Sequence, residues 1–319
     1  MKILIMYGLF APGSGHLARL RAAGHEVVVA DAEERAVREA ADAEVILGHR
    51  YLRQCLPGAR RLRWVQSTAG GVGHLPLAEL RAAGVRLSRD AISAPAIARH
   101  ALTLAWALQR GLPAAFAAQT EGRWAVPAAW PPAPRAALVF GAGEIGRAIA
   151  GLLRREGLRV TGVRRARRPG APSEFDAVIG ADEAEAALAG ADWCFLALPS
   201  TRATRGWFDA RRLGLLPAHA CLVNVGRGAC LDSGDLCRIL REGHLAGAAL
   251  DVIDPKPAGP DEPVWRTPRL LITPHVASHR AERAGEFERL AEEQIERLGG
   301  GRDPLHLVDL DAAITEGFE

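Results

Sequence analysis

The stretch Ala136–Gly146 reads AALVFGAGEIG and decides the fold of this 319-residue chain. Its first half, Ala136–Phe140, is an apolar run of the kind that forms a strand buried in a parallel sheet. Gly141, Gly143 and Gly146 follow directly and open a helical pattern. In such a G-x-G-x-x-G the first glycine allows a tight turn, the second close approach of a pyrophosphate, and the third helix-strand packing. The stretch therefore predicts the strand, turn and helix of a dinucleotide-binding domain.

The residues that follow these glycines indicate which dinucleotide binds. A pyrophosphate on this motif would lie at the helix N-terminus, beside the backbone amides of Glu144 and Ile145. After the next apolar run, Arg159–Val163, an NAD-binding domain would place an acid for the ribose 2′-hydroxyl. This chain has Arg164 and Arg165 there, and guanidinium groups pair with a 2′-phosphate that a carboxylate would repel. The sequence favours NADP(H) over NAD(H); a solvated arginine-rich loop is the alternative.

Apolar runs alternate with helical patterns along the whole chain. The runs are Ile3–Met6, Glu26–Ala30, Glu44–Gly48, Trp64–Ser67, Val85–Ser88, Ala136–Phe140, Arg159–Val163, Asp192–Leu198, Ala220–Val225, Gly247–Asp251 and Leu270–Thr273. This alternation predicts an α/β fold with parallel sheets covered by helices on both faces. Ala94–Arg110 and Ser278–Leu298 read as long helices, whereas Gly111–Pro134 is rich in proline and is interpreted as an extended arm or linker.

Composition and charge restrict the class of protein. The 40 basic and 37 acidic residues are interspersed and give a net charge of +3, without the basic stripe of a nucleic-acid-binding protein. Five cysteines without C-x-x-C spacing fit reduced thiols better than a disulfide framework. No apolar run approaches the ~20 residues that span a bilayer, and no convincing signal-peptide cleavage site follows the first residues. We therefore expect a cytoplasmic protein that binds neither nucleic acid nor membrane, and no metal site is predicted.

Four further segments resemble, in the same order, those of the D-2-hydroxyacid dehydrogenase family. They read WVQSTAGGVGHL at 64–75, LALPSTRAT at 196–204, LVNVGRG at 222–228 and TPHVAS at 273–278. The NADP-type, glyoxylate/hydroxypyruvate reductase-like members are the ones that the chain resembles.

The resemblance implies two doubly wound parallel-sheet domains. A Rossmann-type dinucleotide-binding domain, residues 99–275, would be inserted in a flavodoxin-like substrate-binding domain, residues 1–98 and 276–319. The segment 111–134 resembles the family's dimerisation arm, so the resemblance also implies a homodimer.

Two of these segments imply binding loops. The first is similar to the family's substrate loop, in which Gly70, Gly71 and Val72 would offer backbone N–H groups to a substrate carboxylate; an ordinary glycine turn is the alternative. The second resembles a loop under the cofactor at the carboxyl end of a strand. Within it Thr204 is either a helix cap or a direct contact. The residues assigned to the cofactor from this loop are Leu198, Pro199 and Thr204.

The other two segments imply the catalytic groups. Arg227 lies where the family has its substrate arginine, whose permanent charge would clamp a carboxylate and polarise the keto oxygen of a 2-oxo acid. His275 lies where the family has its acid/base histidine, and ketone reduction requires a proton near neutral pH. Asp251 matches a residue that the family places beside the nicotinamide, and an end cap of a helix or strand is its alternative role.

Lys256 departs from the family pattern. It stands where the family normally has a glutamate that hydrogen-bonds the histidine and raises its pKa, so the lysine is expected to lower the pKa of His275. Three interpretations are open: Lys256 points away while Asp254 or another acid supports His275; Lys256 contacts an anionic substrate group or itself supplies the proton; or ordinary catalysis is lost. Arg99 also replaces an acid of the family, which favours substrates with two negative groups.

The combined expectation is an oxidoreductase that transfers hydride between NADP(H) and a small 2-oxo or 2-hydroxy acid, including acids with a second anionic group. The alternative is a catalytically weak NADP(H)-binding regulator of dehydrogenase ancestry. Arg227 and His275 favour the enzyme, with Lys256 as a third catalytic candidate, whereas Lys256 at the usual glutamate position also favours the regulator.

Overall fold

The computed structural model describes residues 1–126, 133–165, 170, 172–257 and 259–318. The chain forms two compact units: Met1–Ser93 with Arg280–Glu319, and Ala94–His279. The sequence placed the boundaries after residues 98 and 275, a few residues away. The difference arises because the helix that begins at Ala94 packs with the core of the second unit along its whole length. That the first unit binds the substrate stays a prediction.

The elements alternate as the sequence predicted, with short strands between longer helices. In chain order they are β1 (Lys2–Met6), α1 (Ser14–Ala22), β2 (Glu26–Val29), α2 (Glu33–Ala40), β3 (Val45–Gly48), α3 (Leu52–Cys55), β4 (Trp64–Gln66), α4 (Leu77–Ala82), β5 (Arg86–Ser88), α5 (Ala94–Gln109), α6 (Leu112–Thr120), β6 (Ala136–Phe140), α7 (Glu144–Arg155), β7 (Arg159–Val163), β8 (Ala177–Ile179), α8 (Ala184–Leu188), β9 (Trp193–Leu196), α9 (Ala210–Leu213), β10 (Cys221–Asn224), α10 (Ser233–Glu242), β11 (Gly247–Leu250), β12 (Leu270–Ile272), α11 (Arg283–Gly299) and α12 (Leu310–Glu316).

The first unit is built on a five-stranded parallel sheet. Its strand order is β2-β1-β3-β4-β5, with Ile3 opposite both Val27 and Val45. Because successive strand residues face opposite sides, β1 sends Ile3 and Ile5 to one core and Leu4 and Met6 to the other. The strand order is that of the flavodoxin-like doubly wound fold.

The second unit is built on a seven-stranded parallel sheet in the order β12-β11-β10-β9-β6-β7-β8. Counted from β6, the six strands β6 to β11 follow the Rossmann order, and β12 adds a seventh strand at the edge beside β11. The chain direction across the sheet reverses between β6 and β9, which are hydrogen-bonded neighbours. Ligands of open α/β sheets bind at the carboxyl ends of strands where this reversal occurs. The predicted α/β class with two doubly wound parallel sheets is confirmed.

Small residues bring α5 against the sheet of the second unit. Ala98, Ala101 and Ala105 are fully buried in one core together with Ile149 and Leu153 of α7. Alanines let the helix axes approach closely, so that the longer side chains of α7 fill the remaining space. A separate core covers the opposite face of the same sheet.

Three local predictions need correction. Gly111–Pro134 is not extended throughout, because residues 112–120 form α6; Gly111 supplies a left-handed residue and Pro113 occupies the first turn, where its missing N–H costs nothing. The part of the predicted arm at 127–132 lies outside the described residues. The last long helix begins at Arg283 rather than Ser278, and β8 was not predicted because its three residues are too few to show a pattern.

Two further properties concern the described residues only. Among them, no helix is both long enough and apolar enough to span a membrane. Nor do they bring together three or more side chains able to ligate a metal ion.

Candidate dinucleotide and catalytic site

The three glycines of the motif each meet a different physical requirement. Gly141 has φ near 100°, and a Cβ there would lie 2.6 Å from the carbonyl oxygen of Ala197. A Cβ on Gly146 would lie 1.8 Å from the Gly141 oxygen, so only glycine lets α7 approach the turn. A Cβ on Gly143 would meet no atom within 4 Å. The open space is therefore at Gly143, where the motif would receive the pyrophosphate.

The N-terminus of α7 directs backbone N–H groups out of the helix next to this space. Gly143 is the N-cap, and no side chain in the described part of the chain caps the helix. Because the first amides of a helix have no partner within it, those of Glu144 and Ile145 point out of the N-terminus. Amides and helix dipole together suit a pyrophosphate, so the residues present fit a dinucleotide.

Arg164 and Arg165 directly follow β7, the neighbour of β6. The Arg164 amide donates to the Ile179 carbonyl at 3.1 Å, which fixes the chain where it leaves the strand. Arg164 is half-buried and Arg165 is exposed. Arg167 and Arg168, which follow shortly in the sequence, lie outside the described residues.

The loop after β9 lies at the position where the chain direction reverses. Leu198 is half-buried and Pro199 is exposed. The Thr204 hydroxyl donates to the Pro199 carbonyl at 2.6 Å and accepts from the Thr201 amide at 2.9 Å. No helix begins at Thr204, so the predicted helix cap is wrong: this side chain closes a turn of the loop.

The Arg227 loop packs tightly against two neighbouring loops. A Cβ on Gly226 would lie 2.7 Å from the Leu198 backbone, and one on Gly228 would lie 2.4 Å from the Ile253 carbonyl carbon. The two glycines that flank Arg227 are therefore required by close backbone contact. Asn224 fixes the turn, accepting from the Gly226 amide at 3.0 Å and donating to the Arg227 carbonyl at 3.1 Å.

Asp251, which is 2% exposed, anchors the turn that carries His275. Its carboxylate accepts from the Thr273 hydroxyl at 2.6 Å and from the amides of Val276 and Ala277 at 2.9 and 3.0 Å. Its carbonyl accepts the His275 amide at 2.9 Å. His275 itself has a left-handed backbone with φ near 58°, which is costly for a residue other than glycine. The bonds from Asp251 hold this conformation in place.

His100 of α5 extends the network and was not predicted as part of it. Its Nε2 lies 3.0 Å from the Thr273 hydroxyl and 3.5 Å from an Asp251 oxygen. Because that hydroxyl gives its proton to Asp251, Nε2 has to be the donor. No local signal could have identified this contact, since His100 and Thr273 are far apart in sequence.

Burial and hydrogen bonds oppose one another at Asp251. Burial alone would raise its pKa, but the bonds from His100, Thr273 and the two amides outweigh this and hold the pKa at about 2. Asp251 is therefore a permanent anion at neutral pH. Because its carboxylate oxygens already accept these hydrogen bonds, the end-cap role of Asp251 is favoured over direct contact with a nicotinamide.

His275 is an exposed residue whose imidazole is nevertheless partly desolvated. This desolvation is the largest cause that lowers its pKa, and the charges of Arg227 and Lys256 lower it further, as does His279. Asp251 acts in the opposite direction. Lys256 therefore lowers the pKa of His275, as the sequence predicted, although burial lowers it more.

Lys256 is exposed, and no carboxylate among the described residues pairs with it. Asp254, which the sequence offered as an acid for His275, instead lies 3.8 Å from Arg205. The acid that acts on His275 is Asp251. Arg227, Asp251, Lys256 and His275 thus lie together at the carboxyl edge of the β10-β11-β12 part of the sheet.

Gly70, Gly71 and Val72 belong to the first unit, in the loop after β4. Within the part of the chain that the structure describes, their amides donate to no protein acceptor. Arg283 holds the start of this loop, donating to the Thr68 carbonyl at 2.9 Å.

His49 and Ser67 further fix this loop. His49 Nδ1 lies 3.0 Å from the Ser67 hydroxyl. Burial, and to a smaller extent the charge of His74, lowers the pKa of His49 to about 4. The loop is therefore held by neutral His49 and by charged Arg283, neither of which the sequence singled out as a site residue.

Comparison with known proteins agrees with this geometry. Residues 102–277, more than half of the chain, match the family described as D-isomer specific 2-hydroxyacid dehydrogenase, NAD binding domain. An uncharacterized protein in the mprR 3′ region of Streptomyces coelicolor is 39% identical over 241 residues, which cover 75% of this chain and 85% of that one. The glyoxylate reductase of Aeropyrum pernix is 33% identical over 173 residues, covering 54% of this chain and half of that enzyme.

A solved structure extends the comparison to nearly the full length. The D-isomer specific 2-hydroxyacid dehydrogenase of Xanthobacter autotrophicus Py2, in complex with NADPH and MES, superposes with a TM-score of 0.81 at 28% identity and covers 98% of both chains. The second unit therefore has the dinucleotide-binding domain of an NAD(P)-dependent oxidoreductase. The chain belongs to the D-isomer specific 2-hydroxyacid dehydrogenase family.

Proposed function

We propose that the chain reversibly reduces a small 2-oxo acid with hydride from NADP(H). The observation that carries this proposal is that Arg227 and His275 lie at the carboxyl edge of the sheet that also bears the open glycine turn at Gly143. A bound nicotinamide would supply the hydride.

Arg227 and His275 would divide the work on the substrate. The Arg227 guanidinium would bind the substrate carboxylate and polarise the keto oxygen, since its charge persists at any ordinary pH. His275 would give a proton to that oxygen during reduction and take one during oxidation. That the amides of Gly70, Gly71 and Val72 donate to the substrate carboxylate stays a prediction from the sequence.

Turnover tests this proposal against the regulator of dehydrogenase ancestry, which Lys256 favours. We expect glyoxylate or hydroxypyruvate to be reduced with NADPH, and Arg227→Gln and His275→Gln each to reduce kcat/KM by about a hundredfold or more. Tight NADPH binding without turnover of any 2-oxo acid would favour the regulator instead.

Arg164 and Arg165 support NADP(H) as the cofactor. They directly follow β7, where an acid would serve NAD(H), and a guanidinium pairs with a 2′-phosphate. The NADPH bound in the Xanthobacter relative is consistent with this choice. We expect NADPH to bind more tightly than NADH, and Arg164→Gln with Arg165→Gln to weaken NADPH alone by about tenfold or more. Tighter binding of NADH by the parent would refute the preference.

The described part of the arm 111–134 supports a homodimer. Phe116 of α6 is 61% exposed, Val126 is 76% exposed and Trp124 is fully exposed. Apolar side chains this accessible, close together in sequence, are typical of a protein interface. Analytical ultracentrifugation should find a dimer, and Trp124→Ser with Phe116→Ser should shift it toward monomer; a monomeric parent at micromolar concentration would contradict the proposal.

A further inference from the structure

Positive charge dominates the catalytic edge of the second unit. Strands β10, β11 and β12 are adjacent and parallel, so the loops that follow them emerge at the same edge. These loops carry Arg227, Lys256 and His275 in turn. Among the described residues, the charged or titratable groups that act most on the His275 imidazole are the carboxylate of Asp251, the cations Arg227 and Lys256, and His279.

The two carboxylates at this edge, Asp251 and Asp254, already have partners. Asp251 is buried, and its oxygens accept hydrogen bonds from Thr273, Val276 and Ala277. Asp254 faces Arg205 instead. Lys256 is left as an exposed ammonium to which no described carboxylate is paired. An exposed cation next to a proton donor is suited to an anionic ligand.

We propose that Lys256 binds the second anionic group of a dianionic 2-oxo acid, and that this bound group gives His275 the negative neighbour that makes it a proton donor for such substrates. The inference rests on the proposed function and names its substrate class. A carboxylate carried by the substrate takes the place of the glutamate that Lys256 replaces.

The chemistry balances without any additional reactant. The carbonyl carbon gains a C–H bond from the hydride of the nicotinamide, and the carbonyl oxygen gains the proton that His275 releases. The C=O bond becomes a C–OH group, and the imidazole becomes neutral. A substrate anion at Lys256 offsets a charge that lowers the pKa of His275, so the imidazole keeps its proton to higher pH.

Glyoxylate and mesoxalate test this inference, since they differ by one carboxylate on the reacting carbon. The kcat and KM of each would be measured with NADPH from pH 5.5 to 9. Reduction requires protonated His275, so kcat falls as pH rises through its pKa; we expect this fall about one pH unit higher with mesoxalate. Lys256→Gln should lower the mesoxalate-to-glyoxylate ratio of kcat/KM by about tenfold and move the glyoxylate profile to higher pH, whereas Lys256→Arg should preserve the ratio.

Arg266→Gln is the matched control, because Arg266 is an exposed cation of the same unit that lies 3.8 Å from Asp261. It should leave both substrates and both profiles unchanged. If glyoxylate is reduced but Lys256→Gln alters neither the ratio nor the profile, the inference is overturned while the proposed function stands. Failure of the parent to reduce either acid with NADPH or NADH would overturn both.

Discussion

Replacing Asp251 with asparagine removes the charge that organises the His275 turn while keeping the size of the side chain. Asparagine retains one oxygen for the Thr273 hydroxyl and the Val276 amide, but its NH₂ group would face the amide of Ala277, donor against donor. The turn therefore loses a hydrogen bond to a charged group and leaves a buried amide unpaired, a loss of about 1.5–3 kcal/mol.

The pKa of Asp251 gives an independent magnitude. Holding it at about 2, against 3.8 for the ordinary side chain, corresponds to about 2.4 kcal/mol of stability at pH 7. Because the pKa is depressed in the folded state, this stability is present above the unfolded pKa and is lost as pH falls through the folded pKa. About 1.3 kcal/mol of it should remain at pH 3.

Urea unfolding followed by tryptophan fluorescence at pH 7 and pH 3 measures this difference. Asp251→Asn should cost about 2–3 kcal/mol at pH 7 and clearly less at pH 3. Asp261→Asn is the control, since Asp261 is 95% exposed and its loss should cost well under ~1 kcal/mol at either pH. A cost of Asp251→Asn that is small, or equal at the two pH values, would refute the reasoning.

Two glycine substitutions separate packing from binding. Gly146→Ala should destabilise the fold by about 1–3 kcal/mol or prevent folding, because its Cβ would meet the Gly141 oxygen. Gly143→Ala, whose Cβ meets open space, should leave the melting temperature within a few degrees and weaken NADPH binding by about tenfold. Equal stability of the two variants would contradict this. Gly228→Ala should likewise lower both stability and activity, because its Cβ would meet the backbone of residue 253, while Gly259→Ala, with no atom within 4 Å, should lower neither; thermal unfolding and glyoxylate turnover measure both.

The fold was predictable because its signal is local and repeated. The predicted bounds were correct for the strands Ala136–Phe140 and Arg159–Val163, because glycine or charged residues mark the ends of each apolar run. The arm was mispredicted at Leu112–Thr120 because its proline content was taken to indicate an extended chain, although proline in the first turn of a helix costs nothing. β8 was missed because three residues carry no periodicity.

The candidate site was predictable only in part. Gly141, Gly146 and Asp251 lie in motifs, so their positions followed from the sequence, and the structure adds the backbone contacts that require glycine. His100 carries no motif and enters the network through α5, which the fold brings to Thr273. The ion pair of Asp254 with Arg205 could not be predicted either, because it joins two loops that follow different strands.

Asp251 has two roles that a second substitution can separate. Its hydrogen bonds hold the turn, and its charge raises the pKa of His275, whereas Lys256 affects the imidazole through charge alone. Asp251→Asn removes the charge that raises the pKa of His275, so glyoxylate reduction should be lost at a lower pH than in the parent as the pH is raised. Adding Lys256→Gln removes a lowering charge and should return the pH profile toward that of the parent, while the loss of stability remains, because no hydrogen bond is restored. If the second substitution restored stability as well, or left the pH profile of Asp251→Asn unchanged, the two roles would not be separate.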